Sequence, residues 1–125
     1  MSGFDVRTVV FPTDFSDCSR HAGRRAAGVA RRFGARLHIL RVDPPVSAPT
    51  PPSRLTAAAA ELGADLDVTT AMTTGVPAHA ICAYAERVGA DLIVMGTHGR
   101  TGVSRAVVGS VAEEVVRHSR CSVMT

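Results

Sequence analysis

Gly96, Gly99, Gly109 and Ser110 are spaced along one stretch in a way that suits chemistry on an anion. The stretch runs Gly96-Thr97-His98-Gly99-Arg100-Thr101-Gly102-Val103-Ser104-Arg105-Ala106-Val107-Val108-Gly109-Ser110. Glycines let a backbone approach an anion closely and adopt positive φ. Successive backbone N–H groups can then form an anion-binding nest. Thr97 and Ser110 add hydroxyls, and Arg100 and Arg105 add positive charge. His98 can donate to a phosphate oxygen or shape the turn. Gly109-Ser110 precedes a segment of helical apolar spacing, so it meets a helix N-terminus, where unpaired N–H groups and the dipole favour negative charge. A purely architectural reading stands beside this one. Gly96, Gly99 and Gly102 would allow a tight turn, Ser110 would cap its helix, and Val107-Val108 would pack under the loop.

A second feature is Phe11-Pro12-Thr13-Asp14-Phe15-Ser16. Asp14 falls where an apolar run ends. A carboxylate there can accept hydrogen bonds from a ribose hydroxyl or an adenine amino group. It can also cap the next helix, as can Ser16. Asp17 reads as a dipole partner in the first helical turn.

These residues need elements to position them. Thr8-Val9-Val10-Phe11, residues 37–42 and residues 91–95 are short, mainly apolar runs, continuous in Leu92-Ile93-Val94-Met95, and continuous runs suit strands buried on both faces of a parallel sheet. Residues 66–72 alternate more and read as an edge strand. Residues 122–125 read as a short fifth strand. Between them fall four helices. In 16–33, Ala22, Ala26, Val29, Ala30 and Phe33 recur at helical spacing, with Gly34 as the stop. In 54–62, Leu55, Ala59 and Leu62 share a face. Pro77 opens a helix whose stripe is Ile81, Ala85 and Val88. In the last, Val111, Val115 and His118 make the stripe, and Ser110 with Glu113 completes a capping-box pattern. Alternating strands and helices imply βαβ crossovers and one open parallel sheet covered on both faces. Ligands bind beyond the carboxyl ends of such strands. The connection after residues 92–95 lies there and is long for a βα loop. The segment 44–52 holds five prolines in nine residues and reads as a mobile surface loop.

Composition narrows the function. The 125 residues fit one domain, 1–125, and 46% are apolar, while only 4% are aromatic. No apolar run approaches the ~18 residues that span a bilayer, and the start has no secretory-signal pattern. Three cysteines without CxxC spacing argue against a disulfide framework and for a reducing cytoplasm. Cys18, in a first helical turn, invites redox chemistry or simple packing. Cys82 and Cys121 read as structural. The net charge is +3. However, Arg20, Arg24, Arg25, Arg31 and Arg32 lie on one amphipathic helix and read as a solvated face rather than a nucleic-acid surface. The histidines show no metal-ligand pattern.

Together these motifs resemble the universal stress protein family in its ATP-binding branch. Its pattern is Gly, two residues, Gly, nine residues, Gly, then Ser or Thr, and Gly96, Gly99, Gly109 and Ser110 fill it. Pro12-Thr13-Asp14-Phe15-Ser16, Gly75-Val76-Pro77 and Ala90-Asp91-Leu92-Ile93-Val94-Met95-Gly96 are similar to the family's as well. The resemblance implies a three-layer, adenine nucleotide alpha-hydrolase-like α/β fold. Its open parallel five-stranded sheet would have order 3-2-1-4-5 and helices on both faces. It implies ATP, AMP or ADP as ligand, with Mg²⁺ or Mn²⁺ as a companion ion. Pro12, Thr13 and Asp14 would meet adenosine, and Val42 adenine. Met95 and Gly96 would line the ribose and α-phosphate. Gly99, Arg100, Gly109, Ser110, Val111 and Ala112 would hold the phosphates, and Thr97 and His98 are counted among the nucleotide-binding residues. Members commonly dimerise through the last strand, which here is short. The proline segment and a short helix replace a longer helix and leave the adenine side more open.

A nucleotide-dependent regulatory module is the first functional expectation, with an unidentified regulatory protein partner. A slow ATPase or phosphotransferase is the second, although GxxxxGK[ST] and a clear carboxylate pair for metal are missing. An interaction protein without nucleotide is the third.

Overall fold

The computed structural model describes residues 5–97 and 109–125. In chain order these form β1 (Thr8–Pro12), α1 (Asp17–Phe33), β2 (Arg36–Asp43), α2 (Pro52–Leu62), β3 (Val68–Thr74), α3 (Pro77–Val88), β4 (Leu92–Val94), α4 (Ser110–His118) and β5 (Ser122–Met124). The sheet order is β3-β2-β1-β4-β5, and every pairing is parallel. This is the five-stranded order expected. The third strand sits at an edge, two residues later than its alternation suggested, because Val68 rather than Leu66 opens the pairing with Leu37.

Side-chain alternation sorts the core into two layers. Val9, Phe11, Leu37, Ile39, Leu92 and Val94 face α1 and α2, where they meet Ala22, Ala26, Ala30 and Leu55. Val10, Leu40, Val42, Ile93 and Met95 face the other way and meet Ile81, Tyr84, Ala112 and Val115. β1 and β4 are therefore apolar at successive positions, since neither face meets water. Gly34 ends α1 at φ 64, where a Cβ would be strained, and its N–H bonds Ala30 and Arg31 carbonyls.

Three local expectations are corrected. Phe33 ends the α1 stripe but is 38% exposed. His118 lies on the solvent face of α4 beside Glu114, because the buried stripe runs through Ala112 and Val115. The proline segment is pinned at its far end. Thr50 is buried, and its hydroxyl and backbone N–H donate to the two oxygens of Asp43 at 2.6 and 3.0 Å. These bonds, followed by Arg41, hold the Asp43 carboxyl below its ordinary value. The arginines of α1 are exposed as expected. Arg20 and Arg31 join α1 to Glu61 of α2 and to Asp65.

The opposite end of the sheet is tied by Asp91, whose Oδ2 accepts from the backbone N–H groups of Arg7 and Thr8 at 2.8 and 3.0 Å. Replacing Asp91 by Ala leaves both donors without this acceptor. It should cost about 1–3 kcal/mol in denaturant unfolding.

His38 is buried and hydrogen-bonded through Nδ1 to the Tyr84 hydroxyl at 2.8 Å. Burial, and secondarily Arg36, pushes its pKa below the ordinary 6.5. The unfolded chain then binds the extra proton more readily. Stability carried by neutral His38 is full above pH ~6.5 and is lost as pH falls below it. Urea midpoints at pH 7.5 and 5.5 should differ more for the native chain than for His38→Gln. Parallel losses in the two proteins would contradict this.

Candidate functional site

The cleft lies beyond the carboxyl ends of β1, β2 and β4. Its position follows from topology: β1 and β4 are neighbours, yet α1 packs on one face of the sheet and α4 on the other. The cleft encloses about 350 Å³.

One wall is the turn after β1. Thr13 N–H still bonds the Leu40 carbonyl, at 2.9 Å, so the turn starts from a fixed strand. The Thr13 hydroxyl oxygen accepts from Phe15 N–H at 3.0 Å. Asp14 Oδ1 accepts from Ser16 N–H at 3.0 Å and from the Ser19 hydroxyl at 2.7 Å. Ser16 is the N-cap of α1, its hydroxyl accepting from Ser19 N–H. The capping role weighed for Asp14 thus falls to Ser16. Asp14 is oriented by the helix start and still lines the cleft.

The other wall is the start of α4. Its N-cap is Gly109, with no side-chain cap, so the expected Ser110–Glu113 capping box does not form. Glu113 instead pairs with Arg117, at 2.9 Å, and Ser110 is exposed at the first helical position. The Gly109 N–H bonds the Thr97 carbonyl, which brings the two ends of the intervening stretch together. The N–H groups of Ser110, Val111 and Ala112 are among those for which a helix supplies no acceptor. Among the described residues none bonds them. A phosphate suits that need, and the described residues therefore fit the anion the sequence suggested.

The floor is Val42 from β2 and Met95 and Gly96 after β4. Gly96 has a role that spacing did not reveal. A Cβ there would lie 2.8 Å from Cys18 Sγ and 3.1 Å from the Cys18 backbone carbon and oxygen. The glycine lets β4 end against the first turn of α1. It has no positive φ, and Gly109 sits at φ −63, ψ 152. The positive φ expected of the loop glycines is absent from these two.

Pro12, Thr13, Asp14, Val42, Met95, Gly96, Thr97, Gly109, Ser110, Val111 and Ala112 all line this one cleft. His98, Gly99 and Arg100 lie outside the described residues, as do Gly102, Arg105 and Val107-Val108. Sequence reasoning missed Ser19, Arg41, Pro44, Pro77 and Ile81 as lining residues. Pro77 and Ile81 carried a helix-start and a core signal that mask a pocket role. Arg41 carried only its place beside Val42 at a strand end. The described residues contain no group of three or more His, Cys, Asp or Glu able to hold a metal. No helix among them is long and apolar enough to cross a membrane.

Comparison with known proteins agrees with this architecture. Residues 5–125 match the universal stress protein family. A universal stress protein of Methanocaldococcus jannaschii is 36% identical over 138 aligned positions, covering 94% of this chain and 80% of that protein. The structure of universal stress protein UspA from Lactobacillus plantarum superposes with a TM-score of 0.79 at 28% identity, covering 98% of each chain. A universal stress protein solved in complex with cAMP gives 0.79 at 31% identity, covering 97% of this chain and 96% of that one. The chain belongs to the universal stress protein family.

Gly96→Ala should lower stability by about 1–3 kcal/mol, the usual cost of forcing atoms into a packed site. Cys18→Ala in the same chain should recover part of that loss, since the sulfur goes but the backbone contacts stay. Additive effects in denaturant unfolding of the two single variants and the double variant would contradict the contact.

Proposed function

We propose that the cleft binds an adenine nucleotide, ATP with ADP or AMP as related occupants, and that the chain acts as a nucleotide-dependent regulatory or stress-response module. One observation carries this reading: Asp14 and the uncapped start of α4 line the same cleft from opposite walls. In it, Pro12, Thr13 and Asp14 take the adenosine, with a ribose hydroxyl donating to the Asp14 carboxylate. Val42 meets the adenine. Met95, Gly96 and Thr97 flank the ribose and α-phosphate. Backbone N–H groups of Ser110, Val111 and Ala112, beside Gly109, hold the phosphates, whose charge suits the helix dipole. The same reading assigns phosphate contacts to His98, Gly99 and Arg100, which lie outside the described residues. Mg²⁺ or Mn²⁺ would enter on the phosphates rather than in a protein cage.

The cAMP complex of the relative at 31% identity supports an adenine nucleotide and favours a second reading, a cyclic monophosphate in place of the triphosphate. Competition between ATP and cAMP separates the two. Binding is favoured over turnover because the one carboxylate among the described lining residues, Asp14, is held by Ser16 and Ser19. Hydrolysis also needs a positioned water and charge neutralisation. With Mg²⁺ or Mn²⁺, ATP should turn over slowly or not at all. Many turnovers per second would favour the ATPase or phosphotransferase reading. A homodimer through β5 and a cytoplasmic location belong to the same proposal. β5 offers only three residues for pairing, so the dimer would be weak.

Gly109→Val is the direct test. Valine adopts φ −63, ψ 152 without strain, so the fold should persist while a branched side chain stands at the phosphate end. Calorimetry should show ATP binding lost with the circular dichroism spectrum unchanged. Unchanged affinity in the folded variant would sink the phosphate reading.

A further inference from the structure

A second cavity of about 280 Å³ lies between α1 and α2, toward the opposite face of the sheet from the nucleotide cleft. Phe11 and Leu62, both in the buried core, form its apolar floor beside Ala57 and Ala58. Phe15 forms one side, and Thr13 lines both this cavity and the cleft. The turn after β1 is therefore a wall common to the two.

Charge at the rim is unevenly matched. Arg20 and Glu61 satisfy each other, with contacts of 3.4 and 3.2 Å. Arg54 has no carboxylate partner among the described residues, and its guanidinium lies 4.1 Å above the centroid of the Phe15 ring. A guanidinium over an aromatic ring and without a carboxylate partner among the described residues has N–H donors to offer a planar two-oxygen acceptor. Phe15 itself stands at φ 64, the one non-glycine with positive φ among the described residues. A bulky residue holds such a conformation only where its surroundings enforce it, and such residues gather at ligand sites.

We infer that this cavity binds a small planar apolar acid, its body among Phe11, Phe15 and Leu62 and its carboxylate on Arg54. The site is independent of the nucleotide reading, because none of these four residues lines the cleft.

Amide spectra of the ¹⁵N-labelled full chain, without nucleotide, test this with benzoate as probe. Saturable shifts should cluster at Gly23, Ala57, Ala58 and Leu62. Benzamide, of the same shape without charge, should bind about fivefold more weakly, the upper range for an exposed ion pair. Acetate, charged without the ring, should give no saturable shifts there. Arg54→Met should remove the preference for benzoate over benzamide, and Ala58→Leu should abolish binding by filling the cavity. Absence of saturable shifts at these amides, or benzoate binding unchanged in Arg54→Met, would overturn the inference.

Discussion

The end of β4 can run against the first turn of α1 only because residue 96 has no side chain. A Cβ on Gly96 would lie 2.8 Å from the Cys18 sulfur and 3.1 Å from its backbone carbon and oxygen, so moving the Cys18 side chain would relieve only part of the contact. It sets how closely the neighbouring strands β1 and β4 deliver their following segments to one another. Asp14 and Ser19 come from the β1 side, and Thr97, Gly109 and the start of α4 from the β4 side. A wider separation would leave two half-sites. Gly96 thus has an architectural role that does not depend on any ligand, and it lines the cleft as well.

Within that frame each wall is prepared differently. The Asp14 wall is rigid by hydrogen bonding, since its carboxylate is locked to Ser16 and Ser19 and Ser16 caps α1. The α4 wall is left incomplete: Gly109 offers no capping side chain, and Ser110 does not cap. A helix start whose N–H groups meet no acceptor among the described residues becomes favourable beside an anion. The Gly109 N–H bonds the Thr97 carbonyl and is not one of those donors.

Much of this was legible in the sequence because the signals were strong and local. Continuous apolar runs such as Leu92-Ile93-Val94 mark strands buried on both sides, and Gly34 and Pro77 mark helix ends. The siting of Asp14 and Gly109-Ser110 followed from the rule for strand ends, while the strand order came from the family resemblance. What was not legible depends on geometry between distant residues. Ser110 and Glu113 have capping-box spacing, yet the chain enters α4 one residue earlier, at Gly109, and Glu113 turns to Arg117. His118 has the spacing of the buried stripe but falls just past its edge. No local pattern ties Thr50 to Asp43, sets Gly96 on Cys18, or opens a second cavity beside Phe15.

The central claim is that one cleft, walled by Asp14 and the α4 start, takes an adenine nucleotide. Native mass spectrometry of the purified chain, offered ATP, cAMP and GTP at equal concentration, tests it most directly. The account predicts a single-occupancy adduct with the mass of ATP or cAMP in clear excess over GTP. Equal GTP occupancy, or no adduct with any of the three, would contradict it.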